Sequence, residues 1–125
     1  MIVRKYQKED FCQISEWLIN RNSLVFHPNI LPENGFIVDQ VAAVFLYSTD
    51  SDFCYLENLV SNPDVDSKIR NEAISKMIEH AFAAASDLNF KFVLAVTDVP
   101  AVVARAVTLG AKTETNKTLL TKQLK

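Results

Sequence analysis

The sequence predicts one α/β (α+β) domain over residues 1–125, built on a mixed sheet with helices on both faces. Three observations carry that prediction. The chain has 125 residues, 49% of them hydrophobic and 22% charged, enough to bury one core and too short for two. Only 2 glycines and 4 prolines interrupt it, so no low-complexity linker divides it. Runs rich in β-formers alternate with helical stripes in the order β-α-β-β-β-α-β-α-β, with room for a final β.

Residues 1–6 (MIVRKY) form a short strand by composition, with Ile2, Arg4 and Tyr6 on one face. Asp10 then serves as a capping or first-turn acid for a helix whose Phe11, Ile14, Trp17 and Leu18 make one apolar stripe, ending near Asn20 to Asn22. Pro28, Pro32 and several turn formers make residues 23–34 a connection, with space for a short helical turn around Phe26 or Ile30. Residues 35–38 (GFIV) and 41–47 (VAAVFLY) are two antiparallel strands joined at Asp39-Gln40. After a turn at 48–52 comes the strand 53–60 (FCYLENLV). Strict alternation places Tyr55, Glu57 and Leu59 on one of its faces and Leu56, Asn58 and Val60 on the other.

Pro63 ends this strand, because it has no N–H for a sheet partner and forces the residue before it into extended geometry. A long helix follows to about Ser86. Ile69, Ala73, Met77, Ala81 and Ala84 share its apolar stripe, with Ile74, Ile78 and Ala85 beside it and Glu72, Lys76 and Glu79 opposite. Residues 90–96 (FKFVLAV) read as a central strand covered on both faces, reached by a right-handed crossover if parallel to 53–60. Pro100 opens a short helix carrying Val103, Ala106, Val107 and Leu109, and Gly110 closes it. Residues 112–124 continue extended, with a turn near Asn116-Lys117.

Charge and composition exclude several classes of function. With a net charge of -2 and no basic block, no nucleic-acid partner is expected. No apolar run approaches the ~20 residues of a membrane span and the first ten residues are not a leader, so a cytoplasmic protein with no membrane partner is expected. Cys12 and Cys54 lie outside any CxxC and show no ligand spacing to His27 or His80, which leaves no metal site and reads as two buried free thiols.

Three segments carry a resemblance. Residues 59–63 (LVSNP) resemble a strand end of the type V-x-P, with Ser61 at the valine position. Residues 66–71 (DSKIRN) fall where a loop R/Q-x-x-G-x-G/A would enter the long helix, with Ile69 and Asn71 at its two glycine positions. Residues 102–111 (VVARAVTLGA) resemble a segment a-x-x-l-Y-x-x-l-G-F, matching at Leu109-Gly110, with Ala111 for the Phe and Ala106 for the Tyr. Together with the element order, these make the chain resemble, over essentially its full length, a divergent member of the GNAT superfamily of N-acetyltransferases.

The resemblance implies a GNAT-like mixed sheet and an acyl-CoA-dependent N-acyltransferase that transfers an acetyl group to an amine by direct attack. It implies acetyl-CoA as cofactor, bound through Leu59, Val60, Ser61, Lys68, Ile69, Arg70 and Asn71, with the pyrophosphate at the helix N-terminus where unpaired N–H groups and the helix dipole favour an anion. It implies that Glu57 deprotonates the amine of a small-molecule or protein acceptor, directly or through water. Family members often dimerise, so a homodimer is expected. Glu57 also reads as an ordinary strand acid, and Tyr47 and Tyr55, which could stand in for the missing phenol, as packed strand aromatics. Asp64 and Asp66 oppose a phosphate at the loop, and Lys68 and Arg70 partly offset them. The alternative function is a catalytically inactive binding or structural module that keeps this fold with a decayed CoA site.

Overall fold

The computed structural model describes residues 1–117 together with Leu120, Lys122 and Leu124. Its elements run β1 (Arg4–Lys5), α1 (Phe11–Asn20), β2 (Gly35–Val38), β3 (Ala42–Tyr47), β4 (Phe53–Ser61), α2 (Ser67–Asp87), β5 (Phe92–Leu94) and α3 (Pro100–Thr108). The sheet order is β1-β2-β3-β4-β5. Neighbours from β1 to β4 are antiparallel, and β5 lies parallel to β4 with α2 as the crossover. A 3-10 turn at Pro28–Ile30 punctuates the long connection, as Pro28 suggests.

Alternation along β3 feeds two separate cores. Ala42, Val44 and Leu46 pack with Ala73, Ile74, Met77, Ile78, Ala81 and Ala85 of α2 and with Val102 of α3. Ala43 and Phe45 point to the opposite face, where Ile14, Trp17 and Leu18 of α1 close over them with Tyr6, Ile37 and Val60. Helices therefore cover both faces, as the pattern predicts. The Phe45 ring meets Tyr6 edge-on at 4.9 Å and lies directly over Gly35, its partner in β2.

Several expectations need correction. Asp10 stands at the N-cap of α1 without a side-chain cap there, and acts instead as a first-turn acid of the 3-10 turn Lys8–Asp10 that leads into the helix. Its carboxylate accepts from the Gln7 N–H at 2.7 Å and from both terminal nitrogens of Arg4 at 3.0 and 2.7 Å, and Arg4 also reaches Asp39. One guanidinium thus ties β1 to the start of α1 and to the β2–β3 turn, and holds the Asp10 carboxyl below its ordinary range. The β2–β3 turn is one residue longer than Asp39-Gln40, with Gln40 left-handed. Cys54 is buried but Cys12 is exposed. Ile69 is exposed too: the buried stripe of α2 is centred on Ile74, Met77, Ile78 and Ala81, roughly 120° away from it at about 100° per residue.

The largest correction concerns β5. Among the described residues it is an edge strand, not a central one, and spans only three residues, with Phe92 66% and Leu94 49% exposed. An unbroken apolar run does not distinguish a strand buried on both faces from one whose second flank is open, and among the described residues no strand follows α3 to cover it. Residues 111–117 hold a bend at Asn116 and no strand, and 118, 119, 121, 123 and 125 lie outside the described residues, so the expected final strand does not appear among those described. The end of α3 matches its prediction: Gly110 takes φ 99°, its N–H reaches Val107 and that of Ala111 reaches Ala106, the two bonds of a Schellman cap.

Candidate functional site

β4 carries a bulge that its sequence alternation conceals. Leu46 pairs with Leu56 and Phe45 with Glu57, but Ala43 pairs with Val60, so Val44 alone faces both Asn58 and Leu59. Asn58 absorbs the extra residue at φ 57°, a left-handed conformation asparagine tolerates better than most side chains. Its amide donates to the Tyr47 hydroxyl at 2.6 Å, which fixes the bulge to β3. Phase therefore flips within β4. Leu56 and Leu59 both pack toward α2, while Val60 turns into the core beneath α1. The grouping of Glu57 with Leu59 on one face is corrected accordingly, and the Val60 side chain does not face the α2 side.

β5 leaves β4 just before this point, pairing with it only from Phe53 to Tyr55. Toward the end of β4, the Asn62 N–H donates to the Val41 carbonyl on the β3 side. Alternation of backbone direction then turns the N–H and C=O of Leu59 and Ser61 the other way, into the gap that β5 vacates. The Ser61 carbonyl confirms this, accepting from Arg21 Nε at 2.7 Å rather than from a strand.

The Glu57 carboxylate bridges the gap at its narrow end, accepting from the Val96 N–H at 3.1 Å. Partial burial raises its pKa above the ordinary 4.5, and the Val96 hydrogen bond opposes that rise. Burial likewise raises the Tyr47 phenol, with the Asn58 contact acting against it and the Glu57 charge adding to it. Behind Glu57 a small cleft is walled by Val44, Leu59, Ile74, Met77 and Val102. It shares Leu56, Ile78 and Val102 with a larger cleft of about 760 Å³ between β5, α3 and residues 111–117. Ala106 lines that larger space, without a phenol.

The start of α2 is built differently from the gap. Asn62 shapes the loop, accepting from the Asp64 N–H at 3.0 Å and donating to the Gln40 carbonyl at 2.9 Å. Asp66 is the N-cap, and its carboxylate accepts from the Lys68 N–H at 3.3 Å. Lys68, Ile69 and Asn71 are exposed, while Arg70 is half-buried with its Nε enclosed and without a hydrogen-bond partner. Of the residues singled out from sequence, Glu57 and Leu59 therefore line the cleft together. Ser61 presents its backbone at the same side of β4, and the residues from 68 to 71 do not line the cleft.

Sequence reasoning missed Asn58, Arg21 and the Val96 N–H. An Asn inside a β-rich run was the one available signal, for the bulge. Among the described residues, no group of three His, Cys, Asp or Glu could hold a metal ion. No described helix is long and apolar enough to cross a membrane.

Neither a protein-family profile nor a curated protein matches the sequence. Solved structures do match the fold. Rv2747 from Mycobacterium tuberculosis, in complex with CoA and NLQ, superposes with a TM-score of 0.71 at 14% identity, covering 86% of this chain and 70% of that one. An aminoglycoside acetyltransferase from an uncultured soil metagenomic sample, in complex with sisomicin, gives 0.64 at 11% identity over 99% and 96% of the two chains. An acetyltransferase of Trypanosoma brucei gives 0.64 at 11% identity over 97% and 99%. The chain has the fold of the GNAT acetyltransferases, in a divergent sequence.

Proposed function

We propose that this protein binds acyl-CoA in the gap between β4 and β5 and transfers the acyl group to an amine. The observation that supports it best is the bulge at Asn58 beside the divergence of β5, which leaves the backbone of Leu59 and Ser61 without a strand partner on that side, next to an apolar cleft lined by Leu59. Unpaired strand groups of this kind suit an extended, amide-bearing arm that adds to the sheet edge. Bound acyl-CoA supplies the acyl group as an activated thioester. The Leu59 N–H is placed to donate toward a carbonyl in the gap. Glu57, with its pKa raised by burial, takes the proton that the acceptor amine loses, directly or through water. The Val96 N–H orients the Glu57 carboxylate throughout. With Ala106 in place of a phenol, the departing thiolate takes its proton from solvent.

Binding is tested by thermal denaturation: saturating CoA or acetyl-CoA raises the melting temperature through linkage to the native state. Glu57→Gln keeps that shift, because an amide oxygen still accepts from Val96, and loses transfer by about 100-fold or more. In the native protein the transfer rate climbs with pH through an apparent pKa above 4.5. No thermal shift from either ligand would overturn the reading.

One observation favours a second reading, an inactive module on the same fold. The Asp66 carboxylate occupies the Lys68 N–H and adds negative charge at the end of α2 where a diphosphate would sit. In that reading the native chain shows neither a CoA shift nor transfer, and Gly at positions 69 and 71 recovers the shift. Measured acyl transfer by the native chain would end it.

A further inference from the structure

The cleft behind Glu57 holds about 40 Å³, room for a few water-sized groups and so for little more than an acetyl. The larger cleft beside it, at about 760 Å³, falls within the ~300–1,000 Å³ of small-molecule sites. Leu56, Ile78, Ala95, Val96, Thr97 and Val102 line both, so the two meet along one seam. The walls of the larger cleft are mostly hydrocarbon. Ile78 and Phe82 stand about one turn apart on α2, Val93 and Leu94 come from β5, and Val102, Val103 and Ala106 share one side of α3. The charged side chains among its described lining residues, Lys112, Glu114 and Lys117, all come from 111–117, where Lys117 and Glu114 pair at 3.0 Å. Leu94, Val96 and Val103 stay exposed at its rim, apolar surface that a bound apolar group removes from water. Ala106, at the position of the missing phenol, borders this space with a methyl where a ring would fill part of it.

We propose that the two clefts together hold a hydrocarbon acyl chain of about octanoyl length, so that the acyl-CoA this protein prefers carries a medium-length chain. The inference rests on the acyl-CoA reading given above and names its acyl class. The small cleft, next to Glu57 and Leu59, receives the carbons nearest the thioester carbonyl, and the larger one receives the tail. From Val96 back to Val93 the backbone spans at most about 10 Å, the reach of an octanoyl chain laid beside it. Ala106 then has a use of its own: the space a phenol would take is left to the chain. The transfer step is the one described above. The thioester C–S bond breaks as the amide C–N bond forms, the amine proton passes to Glu57, and the thiolate takes a proton from solvent.

The test uses the full chain with three probes: acetyl-CoA, octanoyl-CoA below its micelle concentration, and octanoate. Calorimetric titration of the native protein shows octanoyl-CoA binding at least about 100-fold tighter than acetyl-CoA, since each buried methylene contributes about fourfold. Ala106→Phe fills part of the larger cleft and cuts that preference at least about tenfold, the factor of two displaced methylenes. Val103→Asn makes the rim polar and cuts it about threefold. Both variants bind acetyl-CoA as the native protein does, and circular dichroism melts without ligand show that each is folded. Octanoate, followed by NMR shifts, binds the native protein and binds both variants more weakly.

Acetyl-CoA and octanoyl-CoA of equal affinity overturn the chain site and leave the acyl-CoA reading standing. A preference for octanoyl-CoA that neither substitution reduces places the chain elsewhere and overturns the site as well. Octanoate binding that both substitutions weaken, with no binding of either CoA ester, supports the apolar site and removes the acyl-CoA reading. Failure of all three probes to bind overturns both.

Discussion

Gly35→Ala is the most informative single change in the sheet, because two opposing effects can be weighed on the structure. Gly35 has ordinary strand geometry, so the backbone admits alanine. On chain entropy alone, the substitution would stabilise by about 0.4–1 kcal/mol through a less flexible unfolded state. The space decides otherwise. An added methyl would lie 2.7 Å from Cδ1 and Cε1 of Phe45 and 2.7 Å from Cβ of Tyr6, where carbon atoms normally stay about 3.5–4.0 Å apart. Phe45 cannot yield, since it is fully buried under α1 and in edge contact with Tyr6. Tyr6 cannot slide away freely, since its N–H is bonded to the Gly35 carbonyl at 2.9 Å.

Overpacking of this kind costs about 1–3 kcal/mol, which exceeds the entropic gain, so the net is a loss of about 1–2 kcal/mol. Urea denaturation followed by circular dichroism reads this as a lower midpoint at unchanged slope. Phe45→Leu in the same chain removes Cε1 and part of the clash, so the double variant loses at least about 0.5 kcal/mol less than the sum of the two singles. A Gly35→Ala midpoint at or above that of the native protein would refute the account of packing on the α1 face.

Two further outcomes follow from the bulge and the β1 clamp. Asn58→Val, which disfavours φ 57° and removes the bond to Tyr47, lowers stability by about 2 kcal/mol and abolishes the CoA-induced thermal shift; Asn58→Gly keeps the bulge and the shift. Equal shifts in both variants would separate the bulge from ligand binding. Asp10 has a folded pKa depressed below 3.8, so its contribution to stability is present above that value and lost as pH falls through and below it. Asp10→Asn therefore destabilises at neutral pH by about 1 kcal/mol, a figure kept low because Arg4 is partly exposed, and flattens the acid limb of a stability profile measured by urea midpoints from pH 6 to 2.

Much of the fold was legible because hydrophobic period reports burial on one side of an element. The stripe of Ile14, Trp17 and Leu18 sufficed for α1, and Pro63 and Gly110 marked two boundaries through their backbone chemistry alone. The errors have a common cause. Periodicity counts residues along one element and is blind to what another element does beside it. The run from Phe90 to Val96 looks the same whether it has two neighbours or one. Alternation in β4 assumes one residue per pleat, which the second residue opposite Val44 violates. Glu57 could be singled out only through the family resemblance, and its contact with Val96 not at all, because that contact depends on where β5 departs. Arg21 carried no signal, since an arginine after a helix is ordinary until the fold brings it to Ser61.

The shortness of β5 bears on how the molecule opens. Three ladder pairs with β4, the packing of Val93 and Val102, the Val96–Glu57 hydrogen bond and the Arg105–Glu79 ion pair attach β5 and α3 to the rest, whereas β2, β3 and β4 are sealed between two cores. Local opening free energy scales with the contacts that must break, so the segment from β5 through α3 forms its own low-stability cooperative unit. Its amides exchange with deuterium well before those of β3, through excursions that leave the central strands intact. The wall of the cleft is thus also the part of the protein that loosens first.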